Sequence, residues 1–157
     1  MSAYGSLAAS YDRLTSDVPY AEILAFVQTL LTERGVAPRS VLDLACGTGT
    51  MSLLLAQSGY QVIGADMSEE MLTVAYDKAS ALPDNRPFFV CQRMERLCLP
   101  DPVDWVLCCL DSINYLTDPA ACQETFRRVY RSLCPGGVFI FDINTPEKLR
   151  ALDGQIF

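Results

Sequence analysis

The residues of this chain best suited to chemistry are gathered in two corners. The stretch Asp43-Leu44-Ala45-Cys46-Gly47-Thr48-Gly49-Thr50 closes a short apolar run that begins at Val41. Its glycines permit a tight turn and let a ligand approach the backbone. A second run, Gln61 to Asp66, ends in a carboxylate nineteen positions after Gly47. An acid so placed can accept hydrogen bonds from ribose hydroxyls. Together the corners point to an adenosine-type ligand lying across the ends of two neighbouring strands. The competing reading is an ordinary strand–turn–helix corner that holds nothing.

Charge decides which adenosine-type ligand fits. A dinucleotide fingerprint reads G-x-G-x-x-G and sets a pyrophosphate on the following helix N-terminus. Here the pattern is Gly47-x-Gly49-x-x-Ser52, without the third glycine. Asp43 also stands just before the loop. A buried acid there repels a pyrophosphate and suits the ammonium and sulfonium of S-adenosylmethionine, so that cofactor is favoured over NAD.

These corners need strands and helices to hold them, and the chain alternates the two patterns. Tyr20 to Arg34 reads as a helix with Ile23, Leu24, Phe26, Val27, Leu30 and Leu31 on one side. Gly35 and Pro38 end it. Val41–Ala45 and Gln61–Asp66 read as strands, with a helix over Met51–Gln57 between them. Ser68 looks like an N-cap, with Glu69 and Glu70 in a first turn where the helix dipole favours acids. Pro87–Gln92, Val103–Leu110 and Val138–Ile143 are three further strands. Asp118-Pro119 opens a helix whose face is Cys122, Phe126, Val129, Tyr130 and Leu133. The expectation is one α/β domain over residues 1–157, a doubly wound, mostly parallel sheet of about five strands. Ligands bind such sheets at the carboxyl ends of the strands, where strand order reverses.

Composition narrows the function. Of 157 residues half are apolar, and the formal net charge is -7. Without a basic stripe, nucleic acid is an unfavoured partner. The chain has no histidine, which argues against a zinc site and against triad chemistry, so no metal is expected. Its seven cysteines lack CxxC spacing and read as small buried hydrophobes in a reducing compartment. No signal peptide and no membrane span are visible. The expected location is the cytoplasm.

The corner resembles the first motif of class I S-adenosylmethionine-dependent methyltransferases. Further matches lie at Gly64-Ala65-Asp66-Met67-Ser68-x-x-Met71-Leu72, Asp104-Trp105-Val106 and Leu133-x-Pro135-Gly136-Gly137. Tyr11-Asp12-x-Leu14-Thr15-x-Asp17-Val18-x-Tyr20, Asp111-Ser112-x-Asn114-Tyr115-Leu116 and Phe141-Asp142-Ile143-Asn144-Thr145 resemble a subgroup of small bacterial methyltransferases whose substrates are mostly unassigned. The resemblance implies that Gly47 and Gly49 line the methionine part of the cofactor and that Ala45 and Cys46 also belong to its binding site. It implies that Asp43 attracts the ammonium, Asp66 binds the ribose and Met67 packs on adenine. Leu110 would offer its backbone near the methionine end. Tyr11 would close over the cofactor, with a packed surface aromatic as the alternative. Met71 reads as core.

One departure stands out. After the third strand the family often has an acid that accepts from the adenine amino group, and this chain has Arg93-Met94. Arginine cannot accept, so adenine falls to the Met94 backbone, with Glu95 a weaker candidate. Asp111, Asn114 and Asp142 follow strands four and five near the expected methyl. They are the candidates for orienting an acceptor, though none qualifies as a catalytic base. The implied function is methyl transfer to an unidentified, small-molecule acceptor, or a cofactor-binding module that regulates a partner without transfer. Enzymes of this class usually carry two more strands. The fifth strand would then be an apolar edge, explained by a C-terminally truncated chain, a pairing partner or a homodimer.

Overall fold

The computed structural model describes residues 5–152. In chain order it contains α1 (Gly5–Leu14), α2 (Tyr20–Glu33), β1 (Ser40–Leu44), α3 (Thr50–Gln57), β2 (Gln61–Asp66), α4 (Glu69–Ser80) and β3 (Phe88–Cys91). Then come β4 (Val103–Cys108), α5 (Pro119–Ser132), β5 (Leu133–Phe141) and α6 (Pro146–Leu152), with short 3-10 turns at Met94–Arg96 and Ser112–Tyr115. The strands form one sheet in the order β3-β2-β1-β4-β5. Every pairing is parallel, so the expected "mostly parallel" sheet is wholly so. Order reverses between β1 and β4, and the two candidate corners follow β1 and β2.

The central strands are covered on both faces, which is why they read as continuous apolar runs. Alternation along β4 sends Trp105 and Leu107 to one core with Leu24, Val27, Leu31, Met51 and Leu55. It sends Val106 and Cys108 to the other, with Leu42, Leu44, Leu97 and Val129, and Val103 joins that core across the irregularity between Val103 and Trp105. Helix starts follow their caps. Ser68 Oγ accepts from Met71 N at 3.2 Å, and Asp118 accepts from Ala120 N at 3.1 Å ahead of Pro119.

Several boundaries and faces differ from the sequence reading. Strand four stops at Cys108, because Leu110 and Asp111 take left-handed backbone conformations (φ 59° and 52°). Strand five begins early, at Leu133, and pairs with Val103 across a register shift. α1 was not expected as a helix. Phe26 is 64 % exposed and Tyr130 80 % exposed, each about 100° around its helix from the buried stripe. In α5 that stripe is Thr125, Val129 and Ser132. Thr125 can be buried because its hydroxyl donates to Ala121 O at 2.9 Å, a helical compensation that residue polarity hides.

β5 ends the sheet, and no described residue pairs with its outer side. α6 follows β5; residues 153–157 lie outside the described ones. No helix is long and apolar enough to cross a membrane among the described residues.

Candidate functional site

The glycine corner is built by three left-handed residues, Ala45, Gly47 and Gly49 (φ 60°, 54° and 76°). A non-glycine residue held in that region marks local strain of the kind found at ligand sites. Asp66 ties the corner down from β2. Its carboxylate accepts from Gly47 N at 2.9 Å and from Ser68 N at 2.9 Å. Each oxygen keeps acceptor capacity for a further donor.

Asp43 lies beneath the loop, 3 % exposed, and Ser52 Oγ donates to it at 2.5 Å. Ser52 occupies the place of the missing third glycine. Sequence reading noted the absence but not the partner that replaced it. Burial pushes the Asp43 carboxyl up to about 7, the negative Asp66 adds to the rise, and the Ser52 hydroxyl offsets part of it. Because the folded value is raised, this group favours the fold fully below the ordinary 3.8, and that support is lost as pH climbs through 7. Above 7 the fold holds a buried carboxylate that an ammonium would neutralise. The ionised fraction grows from about a tenth at pH 6 to about nine tenths at pH 8. S-adenosylhomocysteine, which carries the ammonium, is therefore expected to bind about tenfold tighter at pH 8. Titration calorimetry on the protein and on Asp43→Asn checks this; the variant's affinity should be weaker and flat with pH.

A cavity of about 510 Å³ opens beside the corner, a size usual for small-molecule sites. Asp66, Met67, Ser68, Met71 and Met94 form one end, Ala45 and Gly47 the floor, and Tyr11, Thr15 and Val18 another wall. Leu110, Asp111, Ser112, Tyr115, Asp142, Ile143, Asn144 and Lys148 form the far end. A smaller space of about 40 Å³ lies over Asp43 and Cys46 and shares Tyr11, Ala45, Gly47, Leu110 and Ser112 with the larger one. Gly49 lines neither. It is pressed against Ala75 and Phe89, so its role is packing. Met71 is core as expected, 4 % exposed, yet also reaches the wall. Cys109, beside Asp43, has its thiol pushed up to about 12 by burial, so it is no thiolate nucleophile. Among the described residues no group of side chains suits a metal ion.

The far end is held by a network the sequence only half showed. The Asp142 carboxylate accepts from Leu110 N at 3.0 Å and Asp111 N at 2.8 Å, which fixes the two left-handed residues. Asn144 Nδ2 donates to Asp111 Oδ2, and Asn144 N donates to Asn114 Oδ1 at 2.9 Å. Asp142 and Asn114 thus shape the turn, and of the three candidates Asp111 and Asp142 line the cavity. Asn144 was missed. Its signal was the Asp142-x-Asn144 spacing, which puts both side chains on one side of an extended segment.

Where the sequence places adenine, Arg93 Nε pairs with Glu95, and its Nη1 lies 3.7 Å from Met67 Sδ. The guanidinium therefore sits against the residue expected to pack on adenine and brings no acceptor to it. Arg93→Asp is expected to tighten S-adenosylhomocysteine binding by up to about tenfold, the worth of one added hydrogen bond. Unchanged calorimetric affinity would count against that.

A doubly wound parallel sheet, with a glycine corner set between two carboxylates at its switch point, defines a nucleoside-cofactor protein whose site suits a cation. A methyltransferase domain family matches residues 41–137, and the chain belongs to that family. The provisionally named methyltransferase YqeM of Bacillus subtilis (strain 168) is 39 % identical over 93 % of this chain and 57 % of its own length. The crystal structure of an S-adenosylmethionine-dependent methyltransferase from Clostridium acetobutylicum superposes with a TM-score of 0.83 at 34 % identity, over 96 % of this chain and 61 % of that one. The glycopeptide N-methyltransferase MtfA, solved with S-adenosylmethionine, gives 0.61 at 27 % identity, over 65 % and 43 %. The family cofactor is S-adenosylmethionine, and the acidic corner fits it. The chain spans about three fifths of the length of the first two relatives.

Proposed function

We propose that the protein transfers a methyl group from S-adenosylmethionine to a small-molecule nucleophile seated at the far end of the 510 Å³ cavity. The observation that carries this is continuity: cofactor corner and acceptor end are walls of one space. Asp43 faces the ammonium and Asp66 the ribose hydroxyls. Met67 and the Met94 backbone take the adenine, Gly47 and Leu110 border the methionine part, and Tyr11 covers it. The cofactor supplies a methyl already activated by positive sulfur. The protein's share is then alignment and exclusion of water. Asp111, oriented by Asn144, accepts a hydrogen bond from the incoming nucleophile, while Asp142 keeps the turn beneath it. A base is needed only where the nucleophile must lose a proton, and no side chain is assigned that task. Seven free cysteines support action in a reducing, cytoplasmic setting.

The test is a methyl-transfer assay with labelled S-adenosylmethionine and a panel of small amines and hydroxyl compounds. Acceptor-dependent S-adenosylhomocysteine formation, lost in Asp111→Ala with cofactor affinity retained, is the expected result. Binding without transfer to any acceptor would favour the regulatory module instead.

A further inference from the structure

Asp12 belongs to none of the roles above, yet its carboxylate meets three other side chains. Thr48 Oγ1 donates to its Oδ1 at 2.5 Å and Thr50 Oγ1 at 3.4 Å. Lys78 Nζ reaches Oδ2 at 2.7 Å and also donates to Thr50 Oγ1 at 2.8 Å. These partners come from the glycine loop, the first turn of α3 and the last turns of α4. One carboxylate therefore joins the N-terminal helix to the loop that would hold the cofactor. Its neighbour Tyr11 lines both spaces and lies 3.9 Å from where a side chain on Gly47 would begin. While α1 is docked, Tyr11 roofs the corner.

We infer that Asp12 is a positioning residue for the cofactor: it latches α1 over the glycine corner, and its release opens the corner for cofactor exchange. This rests on the cofactor reading of the corner. The Asp12 and Lys78 side chains are 43 % and 27 % exposed, and an ion pair that wet adds little to global stability. That suits a contact made and broken in each binding cycle. Thr48 is 2 % exposed, so undocking leaves its hydroxyl to find another partner, which biases the helix toward the closed state. The cofactor meets Tyr11 only when α1 is docked. Docking and cofactor binding must then favour each other by the same factor.

Two measurements test the latch, on Asp12→Ala and on Lys78→Met, whose native side chain lines neither space. The first is trypsin cleavage after Arg13, inside α1, without ligand. The second is the dissociation rate of S-adenosylhomocysteine by surface plasmon resonance. Both rates are expected to rise about five- to tenfold in each variant, with the unliganded melting temperature within about 2 °C of wild type. The double variant should be little worse than Asp12→Ala alone, because Asp12→Ala already removes the contact of Lys78 with α1. If Asp12→Ala does not fold, Lys78→Met decides. Cleavage and dissociation within twofold of wild type would overturn the latch, as would a lowered melting temperature with unchanged dissociation. A wild-type protein that binds no S-adenosylhomocysteine would instead sink the cofactor reading, and the cleavage rates alone would then decide whether Asp12 docks α1.

Discussion

Asp66→Ala is expected to weaken S-adenosylhomocysteine binding by about a hundredfold or more. Two losses combine. The carboxylate would accept the ribose hydroxyls, and a hydrogen bond to a charged group contributes about 1.5–3 kcal/mol, so two such bonds exceed a factor of 100. The same carboxylate holds Gly47 N and Ser68 N, both at 2.9 Å, so alanine also loosens the corner before any ligand arrives. Asp66→Asn should be intermediate, since one oxygen remains an acceptor while the amide turns a donor toward a donor. Calorimetry on the three proteins gives the order wild type, Asn, Ala. An alanine variant within threefold of wild type would remove Asp66 from the site.

The second large effect separates the two glycines. A Cβ on Gly49 would stand 2.9 Å from Ala75 Cβ and 3.1 Å from Phe89 Cζ, at φ +76°. Gly49→Val thus combines left-handed strain with overpacking, about 3–5 kcal/mol together. For a chain this long that lowers the melting temperature by about 10 °C or more. Gly47 is different. Its φ of +54° carries strain, but the nearest atom to an added Cβ is Tyr11 Cε1 at 3.9 Å, so the fold tolerates Gly47→Ala at a cost of about 1–2 kcal/mol. The new methyl, however, enters the floor of the cofactor space, and S-adenosylhomocysteine affinity should fall at least about tenfold. Thermal melting with and without ligand distinguishes the two: Gly49→Val loses stability, Gly47→Ala loses chiefly the ligand shift. Similar melting temperatures for both would contradict the packing role given to Gly49.

Periodicity in the sequence was enough for the sheet and for the places of both corners, because a buried parallel strand must be apolar on both faces and a tight turn needs glycine. The charge argument at Asp43 was also legible, but burial makes that charge depend on pH. What escaped were features made by tertiary contacts. Ser52 looked like a deviation from a fingerprint, whereas its hydroxyl is the partner of the buried Asp43. Asp142 looked like an acceptor-facing acid, whereas its oxygens are taken by the backbone of Leu110 and Asp111. Leu110 carries no preference for that left-handed conformation and Asp111 only a weak one, so the local signal was slight. Asp12 stood in a motif without a role until the loop and α4 were brought beside it. Phe26 and Tyr130 fit the helical spacing of apolar residues yet are exposed, and smaller residues, Thr125 among them, form the buried stripe.

A crystal structure of the chain soaked with S-adenosylhomocysteine tests the central claim most directly. The account predicts density across the ends of β1 and β2, ribose hydroxyls on Asp66, the amino acid end above Asp43 and Gly47, and Tyr11 closed over it. A ligand bound elsewhere, or a corner filled by the protein's own side chains, would contradict it.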